Sequence, residues 1–317
     1  MRANYRIVIA ISVVVFVALF VMALRGIKRE PPEPVFQNRR LSEWLLDYSQ
    51  SRSNRAAAEA AIRAIGTNAL PYLVSELQRT ENADVGRAKK KVEERLKTRI
   101  VSGADRAYLA LAGLEMLGTN AAPAIPELIE LFRDAEPYYG GQDPAYQASR
   151  ALKRIGPLAT PALIAATTNG NEMIRVHSCF TLGELAATNG VPALIARLDD
   201  SSRMVRIRAA IALGTLHADE EKAVAALGRA LDDADSAVRF SAALALGQFG
   251  TQASSAATKL QMALGRELKR PPGKPGKGGV FEEKTGGEVV GAICTALTQM
   301  GVSVAQPSSS QTESGRE

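Results

Sequence analysis

The sequence predicts an all-α protein, an α-solenoid built as a superhelix of helical hairpins, preceded by an N-terminal transmembrane helix. Three observations lead there. The stretch IRVHSCFTLGEL at 174–185 returns as VRIRAAIALGTL at 205–216 and as VRFSAALALGQF at 238–249, and a fixed period in this range marks stacked structural repeats. The chain is 46% hydrophobic but only 5% aromatic, so alanine and leucine supply the apolar surface and suit closely packed helices. Residues 7–24 form an apolar run whose only polar member is Ser12, long enough to cross a bilayer core.

Taken in order, residues 1–29 are the expected anchor, with Arg2 and Arg6 before the run and Arg25, Lys28 and Arg29 after it. A cleaved secretory signal is the alternative, although its apolar region is ordinarily shorter and no A-x-A-like site precedes the basic cluster. The flanking charge is nearly balanced, so orientation rests on the common bacterial arrangement. That arrangement makes the chain a single-pass inner-membrane protein with its large domain on the periplasmic side. Residues 30–40 hold EPPEPV, whose prolines favour an extended spacer. The solenoid is expected over 41–305, opening with Leu41, Trp44, Leu45 and Tyr48 at helical spacing.

Within it a six-residue motif closes each copy: AIRAIG 61–66, GLEMLG 113–118, ALKRIG 151–156, TLGELA 181–186, ALGTLH 212–217, ALGQFG 245–250 and ALTQMG 296–301. A short turn and a second amphipathic segment follow each close, as in PLATPALIAA and TNGVPALIARL. Proline in the first helical turn sacrifices no intrahelical hydrogen bond. Asp199, Asp200, Asp232, Asp233 and Asp235 fall in the turns before the next helix, where carboxylates cap free amides and complement the positive helix end. Insertions are expected near 81–107 and 265–288, the first with mixed charge and the second rich in Pro, Gly and Lys. Residues 306–317 read as a disordered tail.

The segment PALIARLDDSSRMVRIRAAIALGTL at 192–216 resembles HEAT-like repeats of the type found in bacterial repeat proteins and in phycobilisome lyases. The resemblance covers roughly 50–301 and implies that the "VR" helix is the second of each pair and lines a concave side. It also implies that Arg175, Arg206 and Arg239 bridge neighbouring repeats through turn carboxylates such as Asp200 and Asp233.

In the 205–216 segment, Val205, Ala209, Ala212, Leu213 and Leu216 share one stripe, with Ile207 and Ile211 opposite. The equivalents are Val176 and Phe180, then Phe240 and Leu244, with Tyr108 and Tyr146 in the first column of earlier copies. Two apolar columns away from the packing stripe are the candidate partner-binding residues, rimmed by Arg150, His177, Glu184, Arg208 and Gln248. The other explanation is cover by the solenoid's curvature or by inserted loops.

Charge and chemistry narrow the function. Residues 1–40 carry seven Lys/Arg and two Asp/Glu, leaving 32 basic against 31 acidic side chains in the rest. That near-balance lacks the footprint of a nucleic-acid binder. His177 and His217 are the only histidines, Cys179 and Cys294 the only cysteines, and no Walker-type phosphate loop occurs. No catalytic residue, metal or cofactor is expected. Iron-binding HEAT-like hydroxylases use His-Glu pairs, whereas here Ser178 and Ala218 follow the histidines. The expectation is a non-catalytic scaffold for an unknown protein or peptide, anchored through residues 7–24; a lyase-like or enzyme-accessory role is the alternative.

Overall fold

In a computed structural model, residues 31–78, 103–135, 143–269 and 284–303 are described. The expected anchor at 7–24, the tail at 306–317 and most of both insertions lie outside them. Among the described residues no helix is long and apolar enough to cross a membrane.

A two-residue antiparallel ribbon, β1 (Val35–Phe36) with β2 (Arg39–Arg40), opens the described chain. Fourteen α-helices follow: α1 (Leu41–Gln50), α2 (Arg55–Ile65), α3 (Leu70–Gln78), α4 (Gly103–Leu117), α5 (Ile125–Glu130), α6 (Pro144–Ile155), α7 (Thr160–Ala166), α8 (Glu172–Glu184), α9 (Val191–Arg197), α10 (Arg203–Leu216), α11 (Glu220–Ala230), α12 (Ser236–Gln248), α13 (Ala257–Glu267) and α14 (Gly286–Gln299). They pair as seven hairpins. The first helices of the pairs form one layer, A, and the second helices, the even-numbered ones, form a second layer, B, so that each B helix packs against its own A helix and its neighbours in the array. One continuous hydrophobic core runs from Leu41 to Met300.

The insertions begin and end differently from the expectation. Residues 103–107 already belong to the first turns of α4, 265–267 complete α13, and 286–288 open α14.

The closing motif has a backbone meaning. Its sixth residue has a positive φ in every copy: Gly66, Gly118, Gly156, Gly250 and Gly301, and also Ala186 (52°) and His217 (45°). A left-handed residue stops a helix and redirects the chain, and glycine does so without a Cβ clash. At His217 the ring compensates, with Nδ1 3.2 Å from the Thr215 carbonyl oxygen and Nε2 2.8 Å from that of Gln248 in the next repeat. Each B helix from α6 to α12 then starts on a side-chain cap. Asp143 accepts from the Ala145 amide, Asn171 from Ile174, Ser202 from Met204 and Val205, and Asp235 from Ala237 and Val238. The cap of α10 is thus Ser202 rather than one of the expected aspartates.

The spacing of the B helices is set by the third residue of the motif. A Cβ added at Gly183 would stand 3.1 Å from the Ala212 side chain, at Gly214 2.8 Å from the Ala245 Cα, and at Gly247 3.2 Å from the Ala296 Cα. Glycine facing alanine lets α8, α10, α12 and α14 mesh closely. Gly214→Ala is therefore expected to destabilise the protein by about 1–3 kcal/mol through overpacking, although alanine is the better helix former. Gly265→Ala in α13, where an added Cβ meets open space, should instead stabilise by up to about 1 kcal/mol. Urea unfolding of the two variants checks the opposite signs.

Candidate partner-binding surface

Two sets of side chains follow from this architecture: clamps between repeats and a surface on the B layer. The clamps use one arginine in each of three B helices. Arg175 Nε and Nη2 donate to Asp200 at 3.0 and 2.9 Å while Nη1 donates to the Asn169 carbonyl at 3.0 Å. Arg206 does the same with Asp233, at 2.8 and 3.0 Å, and with the Asp200 carbonyl at 2.9 Å. Arg239 holds the Asp233 carbonyl at 2.8 Å, but its carboxylate is Glu267 at the end of α13, with Nε 2.8 Å away. The planar guanidinium fork thus braces its own turn and the next repeat at once.

Asp200 and Asp233 also accept the amides of Ser202 and Asp235, so they hold the turns that precede the caps. Burial pushes the Asp200 carboxyl up. The Arg175 hydrogen bond, the Ser202 amide and the charges of Arg175 and Arg197 outweigh it, holding the group below the ordinary carboxylate value.

The two expected apolar columns behave differently from each other. Val176 and Ile207 are fully buried and belong to the core, which corrects their placement on the surface. Each lies seven residues before a meshing glycine, Gly183 or Gly214, and a separation of seven returns to the same helix stripe. They therefore face the seam between B helices. His177, expected on the rim, is also fully buried, stacked on Phe132 with ring centroids 5.3 Å apart.

The rest of the columns stays accessible. Tyr108 is 59% and Leu244 40% exposed. Tyr146, Phe180, Ile211 and Phe240 are half-buried. Arg208 lies over the Phe180 ring at 5.1 Å and Lys284 over the Phe240 ring at 5.4 Å, so cations accompany the apolar row.

One seam is open. Where α8, α10 and α12 carry glycine at the third motif position, α6 carries Lys153, and α6 meshes less closely with α8 than the later B helices do with each other. Between α6 and α8 lies a cleft of about 420 Å³, lined by Tyr146, Ser149, Arg150, Lys153, Arg154, Phe180 and Glu184. Its base is tied by the Thr181 hydroxyl, which donates to Ser149 Oγ at 3.0 Å. Lys153 pairs with Glu184 at 3.0 Å and Arg154 with Glu115 at 3.0 Å. Lys153 and Arg154 did not stand out in the sequence. The signal was partial: ALKRIG lacks the glycine that TLGELA, ALGTLH and ALGQFG share, but so do AIRAIG, GLEMLG and ALTQMG.

The Cys179 thiol is pushed up to about 12 by burial, and burial also raises Cys294. Among the described residues no three His, Cys, Asp or Glu side chains converge as metal ligands.

Two layers of helical hairpins with cross-repeat arginine clamps define an α-solenoid of repeats. The family model for HEAT repeats matches residues 160–227 and 191–270, so α7 to α13 are similar to HEAT repeats. No curated protein matches it. Among solved structures, the CpcE–CpcF complex of phycocyanin lyase from Nostoc sp. PCC7120 is similar at 24% identity and TM-score 0.43, over 55% of this chain and 98% of that one. An engineered protein is similar at 19% identity and TM-score 0.40, over 72% and 95%. Kap95p, in a complex with RanGDP, is similar at 13% identity and TM-score 0.43, over 82% of this chain and 39% of that one.

Two outcomes are expected. Asp200→Asn should cost about 2–3 kcal/mol at pH 7 by leaving the Arg175 charge poorly paired. A carboxyl held low in the fold contributes stability that is present above its unfolded value, about 3.9, and is lost as pH falls through the folded one. The melting temperature of the variant should therefore fall less steeply than that of the parent below about pH 4. A thiol-specific chromogenic disulfide should label Cys294 in the folded protein and reach Cys179 only after unfolding, as resolved by peptide mapping.

Proposed function

We propose that this chain is a non-catalytic interaction scaffold, held at a membrane by residues 7–24, that takes a protein or peptide on the exposed face of its B helices. The observation that carries the reading is the row Tyr108, Phe180, Ile211, Phe240 and Leu244, apolar side chains that remain accessible although the same helices bury their other faces in a continuous core. Accessible apolar side chains on successive helices, with cations over the Phe180 and Phe240 rings, suit recognition of another chain. Clamped repeats present it with little ordering cost on binding, because the side chains already stand on rigid helices. The apolar run at 7–24 and its basic flanks support anchoring, which would raise the local concentration of partners at the membrane surface.

The test is capture from a detergent extract of native membranes by the full chain and by an Ile211→Glu/Leu244→Glu double variant. Both positions reach solvent, so circular dichroism should be unchanged and the melting temperature should move by no more than a few degrees. Partner recovery is expected to drop at least about tenfold. Undiminished recovery with an intact fold would remove the surface from consideration. Anchoring is read in parallel: the full chain should stay in the membrane pellet after alkaline carbonate washing, and release into the wash would contradict it.

A further inference from the structure

We propose that the cleft between α6 and α8 is a subsite for an acidic peptide segment, in which an aromatic or aliphatic side chain lies against Tyr146 and Phe180 while a neighbouring carboxylate pairs with Arg150. The proposal rests on the scaffold reading above and names the chemistry of its partner.

The cleft follows one stripe of α6. Tyr146, Ser149, Arg150 and Lys153 are spaced by three, four and seven positions, so they share the stripe of α6 that faces the next B helix. In α8 and α10 the corresponding stripe carries Val176 and Gly183, or Ile207 and Gly214, and it disappears into a tight seam. Lys153 has a side chain where those copies have none, and the stripe of α6 stays open against Phe180 and Glu184. The resulting volume, about 420 Å³, is in the range of sites that enclose a small ligand or an anchoring side chain.

Charge selects the occupant. Three cations, Arg150, Lys153 and Arg154, line the cleft against Glu184 in its wall and Glu115 beside it, and Arg208, expected on the rim, is instead buried over the Phe180 ring. The two carboxylates are engaged by Lys153 and Arg154. Arg150 is half-exposed and has no carboxylate partner among the described residues. Its guanidinium is thus available to an incoming acid, in a chain whose charge outside residues 1–40 is otherwise almost balanced. A phosphate backbone would need a continuous basic track, whereas here the cations are local, interleaved with carboxylates and backed by two rings. From the cleft the apolar row continues across Ile211, Phe240 and Leu244 and ends beside Lys284 over the Phe240 ring. That sequence of features matches an extended peptide carrying acidic residues and spaced apolar anchors.

The experiment is selection of a phage-displayed random dodecapeptide library on the full chain in detergent micelles, followed by fluorescence anisotropy with the enriched peptides made synthetically. Enriched peptides are expected to combine Asp or Glu with an aromatic or aliphatic residue. Arg150→Glu should weaken them at least about tenfold, Phe180→Ala by a similar factor, Arg150→Lys only slightly, and Lys222→Glu on the opposite layer not at all. Raising the salt to 0.5 M, on the order of a 4 Å Debye length, should weaken them further. Circular dichroism confirms that each variant folds. Peptides that are not acidic, or acidic peptides indifferent to both Arg150→Glu and Phe180→Ala, overturn the subsite. If those peptides are lost in Ile211→Glu/Leu244→Glu, the scaffold reading stands without it, whereas a library that yields no peptide defeats both. Arg150-dependent binding of a single-stranded RNA dodecamer with no peptide enriched would overturn the peptide assignment.

Discussion

The contact on which the rest of the structure depends is the close approach of glycine to alanine between successive B helices. Gly183 against Ala212, Gly214 against Ala245 and Gly247 against Ala296 leave no room for a methyl group without movement. Tight meshing there buries whole flanks of α8, α10 and α12, including Val176 and Ile207, and each buried aliphatic side chain contributes about 1.5–3 kcal/mol of transfer free energy. Hydrophobic contact between repeats, repeated along one core, is the main stabilising term in a solenoid, where each unit touches only its neighbours.

Directional contacts then fix how one repeat follows the next. The left-handed residue ends each B helix, and a side-chain cap starts each B helix from α6 to α12. The arginine forks of Arg175, Arg206 and Arg239 tie each turn to the carboxylate of the following repeat. These ion pairs are mostly shielded from water and accept further backbone hydrogen bonds, unlike an exposed pair such as Arg133 with Glu130, which contributes little. Arg239 shows that the clamp tolerates a change of acceptor. Its carboxylate comes from the end of α13 instead of a turn, while its hold on its own turn is kept.

Function on such a frame is expected where the repetition lapses. A seam that closes offers no site, and a seam that carries Lys153 offers a cleft with charge and aromatic walls. Cys179 and His177 are fully buried, the latter against the Phe132 ring. The apolar row on the B layer and the α6–α8 cleft are therefore parts of the same surface, generated by the same helices.

Much of this was legible in the chain itself. The period, the closing motif, the hairpin unit and the recurring arginine could all be read from the residues, because local spacing determines which side chains share a helix stripe. The candidate surface was only half legible. One stripe of a helix wheel distinguishes the packing side from its opposite, but a B helix has three buried sides, and nothing in 205–216 alone says that the stripe of Ile207 meets another helix. Ser202 as the cap of α10 and Glu267 as the partner of Arg239 were equally undetermined by spacing. Residue spacing alone determined a repeating array of helical hairpins and its turn chemistry, since these arise within about thirty residues. Tertiary structure alone decided which apolar residues stay at the surface and that the α6–α8 seam opens, since both depend on the distance between helices from different repeats.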